Sequence, residues 1–243
     1  VWRSDVTTGQ SLKSLVVTFL LGFLFAGFAA VVNSALRGAF ATFGVLGLGL
    51  YFYLVVAPIE ETVKWLAIRM HAYRREEFRA VLDGAVYGAV AGLGFATIEN
   101  TIYITQQYLQ AADSAAAPLA RTIETAAVRS FAGPGHVIYS AFAGYYLGLA
   151  KFNPDDRGPI VIKGLLIAVL LHGTYNVMMT NLESVLAVVE WIVAVPTGVG
   201  FVVLVVVYDG VFLVVLLGKL RKYGRYFRST GAIARDGATS PEE

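Results

Sequence analysis

The chain reads as an all-α protein, a polytopic membrane bundle of about six transmembrane helices with a short broken helix near Pro196. Three observations carry this. Of its 243 residues, 57% are hydrophobic and only 15% are charged, against roughly 25% charged in soluble domains. The apolar residues gather into runs of about 20 or more, the length a helix needs to cross the hydrocarbon layer. The basic residues concentrate in every second connection between those runs, the asymmetry that orients membrane proteins.

Residues 14–36, between Lys13 and Arg37, make the first span. The run is too long for a removable leader and lacks a small-residue cleavage pattern, so it is expected to stay as a span. The second span runs from about 38 to 70, through the pair Glu60–Glu61. The third covers about 83–108, the fourth about 127–150 and the fifth about 159–180. The last apolar stretch, 184–218, is too long for one straight span. Pro196 removes a helix hydrogen bond and clashes with the preceding turn, so a short helix over 185–195 and a sixth span over 197–218 are expected.

The Ala-rich outer connection 110–126 is expected to be a lid or a short surface helix. Residues 1–228 then form a single transmembrane helical domain, and 229–243 a polar tail expected to be disordered. With both termini in the cytoplasm, only Arg37, Arg121 and Arg129 of the 19 basic residues lie outside, as the positive-inside rule favours. Gly84, Gly88 and Gly92 recur every fourth residue on the third span and share one helical face. Small residues at that spacing let helices approach closely, so this helix is expected to be central.

Against this apolar background the ionisable groups stand out. Glu60, Glu61, Glu99, His136 and His172 lie within the spans. Each costs several kcal/mol in hydrocarbon, roughly 2.5–3.5 for a central charge on insertion scales, so five on four segments are expected to work together. Glu60 and Lys64 are four apart and can pair on one face. Pro58 bends the helix just before them. Glu99 follows ten residues without a charge and has no basic neighbour in sequence. Pro134, between Gly133 and Gly135, loosens the helix before His136, and irregular backbone at depth lines cavities. His172 and Asn176 share a face, where the amide can orient the ring or donate to an oxyanion.

Two carboxylates and two imidazoles around one cavity suit the activation of water and the stabilisation of an oxyanion. Glu99, His136 and His172 are also candidate zinc ligands, since catalytic zinc takes three protein ligands and a water. The absence of cysteine excludes thiolate catalysis and thiolate metal sites. No His-Glu-x-x-His helix and no Gly-x-Ser-x-Gly elbow is present. Buried acids and histidines also build proton relays, so a proton-coupled or small-solute transporter is the alternative, and a non-catalytic scaffold of the same fold is a third.

At Glu60-Glu61-Thr-Val-Lys64, Phe95-Ala-Thr-Ile-Glu99-Asn100, Arg129…Pro134-Gly135-His136…Ser140 and His172-Gly-Thr-Tyr-Asn176 the chain resembles the PrsW-type intramembrane protease family. That family is distantly related to the glutamate-dependent CAAX prenyl endopeptidases. Compared with those, Lys64 stands near an arginine's place and Glu99 in place of a histidine. The resemblance implies a membrane-embedded peptidase of helical fold. Its bacterial relatives cut a membrane-anchored anti-sigma factor in its extracytoplasmic part.

The expectation is therefore an intramembrane endopeptidase of glutamate or metal-dependent type in a prokaryotic cell membrane. Glu60 or Glu61 is the base and Glu99 assists. His136 and His172 stabilise the oxyanion or hold zinc, and Asn176 orients. Lys64, Asn100 and Arg129 support them, Lys64 by pairing with Glu60. The expected partners are the bilayer and a membrane-anchored protein or peptide substrate, with no nucleic acid.

Overall fold

The computed structural model describes residues 9–113, 117–190 and 195–237, and these are helical almost throughout. The helices are α1 (Leu12–Ala41), α2 (Gly44–Tyr51), α3 (Ala57–Met70), α4 (Val81–Asp113), α5 (Pro118–Lys151), α6 (Arg157–Thr180), α7 (Leu182–Glu190) and α8 (Thr197–Gly237). A π-helical turn, Phe52–Val56, joins α2 to α3 without a break. Five segments are long and apolar enough to cross a membrane: Leu12–Ala41, Gly44–Arg74, Val81–Ala112, Arg157–Thr180 and Thr197–Phe227. Helix α5 has 34 residues, with Arg121, Glu124 and Arg129 in its first half. Its second half is sheltered by α4 and α6, so it need not be apolar towards lipid. The molecule is a helical membrane bundle.

Several boundaries differ from those expected. Helix α1 passes Arg37 and ends at Ala41, and the second span begins at Gly44 rather than near residue 38. Gly44 makes the turn at φ 57°, a left-handed conformation that a residue without Cβ adopts freely. From there helix runs through Glu60, Glu61 and Lys64 to Met70, so the paired glutamates lie inside the span and not at its end. Most of the expected lid over 110–126 is helix, with α4 ending at Asp113 and α5 starting at Pro118; residues 114–116 lie outside the described ones. Helix α5 continues through Pro134. The short helix before Pro196 starts at Leu182, and 191–194 lie outside the described residues, as do 238–243 of the tail.

Small residues bring the central helices together. One face of α1 exposes Leu20, Leu24, Phe28 and Val31, while Thr18, Gly22, Ala26, Ala29 and Asn33 are buried on the other. Helix α4 lies in that buried face and packs its glycine stripe against α5. A β-carbon on Gly84 would stand 2.2 Å from the Gly144 carbonyl oxygen, and one on Gly92 2.3 Å from that of His136. Backbone-to-backbone contact of this kind is how helices associate where lipid removes the hydrophobic drive.

Candidate active site

The site lies where α1, α3, α4, α5 and α6 meet. Pro58, at the start of α3, has no N–H for the preceding turn, and the π-helical turn sits immediately before it. Such bulges turn the next stretch of helix about its axis and recur at functional sites. Glu60 and Glu61 come two and three residues later on α3, both buried.

Glu61 is enclosed by partners. Lys64 Nζ donates to its Oε1 at 2.5 Å, and both side chains are fully buried. His172 Nδ1 lies 2.9 Å from the same oxygen, and Ser140 Oγ donates to Oε2 at 3.4 Å. Lys64 thus pairs with Glu61 and not with Glu60, a correction to the four-residue spacing. Three residues apart also share a face, and Glu60 points instead towards α1 and His172. Lys64 further lies over the Phe95 ring at 4.6 Å and 3.1 Å from His136 Nδ1.

That contact sets the histidine tautomers. Lysine only donates and an ionised carboxylate only accepts. His136 Nδ1 therefore accepts from Lys64, and its Nε2–H donates to Glu99 Oε2 at 2.9 Å. The Arg129 guanidinium pairs with the same Glu99 oxygen. Arg129 also donates from Nε to Asn100 Oδ1 at 2.8 Å, while Asn100 Nδ2 donates back to the Arg129 carbonyl at 3.2 Å. The basic partner of Glu99 is thus thirty residues away on α5, invisible to local spacing. The His136 and His172 rings meet edge to face at 4.9 Å. The four helices do bring Glu60, Glu61, Glu99, His136 and His172 to one place.

Glu60 is held on one side only. Asn33 Nδ2 donates to its Oε1 at 3.0 Å, whereas Oε2 is buried without a hydrogen-bond partner among the described residues. That oxygen lies 3.6 Å from His172 Nε2. With Nδ1–H given to Glu61, a neutral His172 presents a lone pair at Nε2. Two acceptors facing each other require a cation or a proton donor between them. Ligand atoms of Glu60, His136 and His172 lie within 4.8 Å of one another, and His₂Glu is a known donor set for catalytic zinc. The residues therefore fit a metal, with Glu60 converging where Glu99 was expected. Both His136 nitrogens are engaged, so its ligation would release Lys64 or Glu99.

A cavity of about 540 Å³ reaches this cluster, lined by Asn33, Arg37, Tyr51, Glu60, Phe95, Glu99, Tyr103, Arg129, His136 and Asn176 among others. The lining comes mainly from the C-terminal halves of α1, α4 and α6, the N-terminal half of α5, and the stretch from α2 through the π-helical turn to the start of α3. The cavity therefore belongs to one end of the bundle, opposite the start of α1. Ser34, Arg37 and Gln106 are exposed at its mouth, and Glu60 and His136 are buried at its floor. Asn176 lines it one turn beyond His172. Glu61, Lys64 and His172 lie behind the wall.

Two partners escaped the sequence reading. Asn33 is buried beside Glu60, and its signal was available: it is the one strongly polar side chain between residues 14 and 36. Asp209, for which the sequence offers no partner, accepts from Tyr139 OH at 2.7 Å, and the Tyr139 ring lies 5.8 Å from that of His172.

The chain matches the family described as "PrsW family intramembrane metalloprotease" over residues 10–211. It is similar to three bacterial proteins named Protease PrsW. It is 30% identical to that of Shouchella clausii over 53% of this chain and 54% of the relative. It is 32% identical to that of Halalkalibacterium halodurans over 70% and 72%, and 30% identical to that of Clostridioides difficile over 88% and 81%. The chain thus spans about half the length of the first relative and more of the other two. No solved structure matches it. A family match that takes in all five converging acids and imidazoles, with relatives aligned over most of the chain, leads to one conclusion: the chain belongs to the PrsW family.

Proposed function

We propose that this protein is an intramembrane endopeptidase that hydrolyses a peptide bond in a membrane-anchored protein, an anti-sigma-factor-like protein being one example. The observation that carries the reading is the partnerless Glu60 Oε2 on the floor of a polar cavity, facing His172 Nε2. Water entering there meets a carboxylate oxygen free to accept a proton. Glu60 Oε2 takes that proton as the water oxygen attacks the scissile carbonyl. Asn176, on the cavity wall, donates to the developing oxyanion. The proton passes to the leaving amine as the C–N bond breaks, and Glu60 returns to its ionised form. Glu61 and Lys64 touch no substrate and hold His172 and His136 in place. Arg129 and Asn100 do the same for Glu99.

A second reading is favoured by the convergence of Glu60, His136 and His172. Zinc bound there would supply a Lewis acid for the carbonyl and a water of lowered pKa. Glu60 Oε2 and His172 Nε2 would then be occupied in holding the ion, and Glu99 would be the cavity carboxylate left to receive the proton.

The mouth lies at the end poor in basic residues, where Arg37 and Arg129 sit. Arg74, Arg75, Lys151 and Arg157 mark the other end. This supports cytoplasmic termini and substrate entry from outside the cell membrane. The full chain in lipid vesicles, incubated with tagged single-pass membrane proteins, is expected to cleave a substrate outside its span, and Glu60→Gln to cleave none. Equal cleavage by that variant overturns the proposal. Elemental analysis separates the two readings: stoichiometric zinc lost in His172→Ala supports the second, and chelator-insensitive cleavage without zinc supports the first.

A further inference from the structure

Asn33 stands on α1, outside all four motif segments, yet it touches the group at the centre of the site. It is 8% exposed. Burying an amide inside an apolar bundle costs free energy unless its groups are satisfied. One is: Nδ2 donates to Glu60 Oε1 at 3.0 Å. A carboxylate can only accept, so the amide nitrogen must face Glu60 and the amide oxygen must turn away from it. That oxygen is buried and has no partner among the described residues, and Asn33 lines the cavity. The position is itself held, because Tyr51 OH donates to the Asn33 carbonyl at 2.8 Å.

We infer that Asn33 is a further working residue of this site: its Nδ2 fixes Glu60 through Oε1, and its Oδ1 accepts a backbone N–H of the peptide lying in the cavity. The inference rests on the endopeptidase reading for its second half. The first half explains an asymmetry in the site. Glu60 offers one oxygen and not two because the other is taken, and the free oxygen is the one that faces His172. The second half supplies what an extended substrate needs. Its N–H groups leave water on entering the bundle and each requires an acceptor. Glu61 is spent on Lys64 and His172, one Glu99 oxygen is spent on Arg129 and His136, and Glu60 Oε2 is needed for the water, so Asn33 Oδ1 is a neutral acceptor left for the peptide.

The test compares wild-type chain with Asn33→Leu, which keeps the volume and removes both amide functions, and with Tyr51→Phe, which loosens only the anchor of Asn33. Infrared difference spectra in lipid identify the Glu60 carboxyl band by its absence from Glu60→Gln. The membrane substrate found by the vesicle experiment gives the kinetics. Asn33→Leu is expected to move the Glu60 band, to lower kcat about 10- to 100-fold, as loss of an outer positioning partner does, and to raise KM. Tyr51→Phe is expected to move the same band by less. An unmoved band in both variants, or unchanged kcat and KM in Asn33→Leu, overturns the inference. A chain that cleaves nothing while the band still moves would sink the endopeptidase reading and leave the hold on Glu60 standing.

Discussion

Glu60 and Glu61 are adjacent in sequence and differ in what surrounds them. Glu61 balances the charge of Lys64 where neither side chain meets water. Removing one partner of a buried ion pair costs about 3–5 kcal/mol, because the other charge stays behind unpaired. Glu61→Gln is therefore expected to lower the unfolding midpoint clearly as well as to abolish cleavage. Glu60→Gln keeps an acceptor for Asn33 and is expected to abolish cleavage with little change in that midpoint; denaturant unfolding in detergent checks both. The sequence shows two acids and a lysine within one turn and a half, and both spacings permit a pair. It does not show which acid the lysine meets. That depends on α5, which delivers His136 and Ser140 to the Glu61 side of α3.

At the level of elements, the contact of α4 with α5 sets where His136 stands. A methyl group at Gly92 runs into the His136 carbonyl, which is backbone and cannot swing aside. Gly92→Ala is expected to cost about 1–3 kcal/mol of stability as overpacking and to reduce cleavage further by displacing His136. Gly210→Ala, with nothing within 4 Å among the described residues, is expected to change neither. The glycine stripe was legible as a packing face, but its partner was not.

The start of α1 is tied down differently. Ser11 and Ser14 hydroxyls donate to Glu77, in the connection before α4, at 2.8 and 2.9 Å. The Ser11 hydroxyl first, and the Ser14 hydroxyl next, hold the Glu77 carboxyl below its ordinary range. A depressed folded value means that the tie is complete above the unfolded value, about pH 4.3, and is lost as pH falls through the folded one. Hydrogen exchange at residues 11–15, corrected for intrinsic rates, is expected to accelerate below about pH 4 and to do so already at neutral pH in Glu77→Gln.

The whole molecule places a polar cluster under lipid-facing helices and opens it to one end. The chain has no native cysteine, so single cysteines report that end directly. Cysteines at Ser34 and Gln106 are expected to react with an impermeant maleimide on intact spheroplasts, and cysteines at Arg75 and Asn153 only after permeabilisation. The reverse pattern would place the cavity mouth in the cytoplasm. Hydropathy carried the helical membrane class and the order of the apolar runs, because crossing lipid is a demand each segment meets alone. Of the six spans expected, five are long and apolar enough to cross, and the fourth, in α5, is not among them. The identities of the buried acids and imidazoles were also legible, since lipid makes each of them costly and conspicuous. Their pairing was not. Lys64 with Glu61, Arg129 with Glu99 and Asn33 with Glu60 are held by a bundle whose backbones approach closely at Gly22, Gly88 and Gly92. The last two join separate helices, and no spacing along a single helix encodes the distance to another.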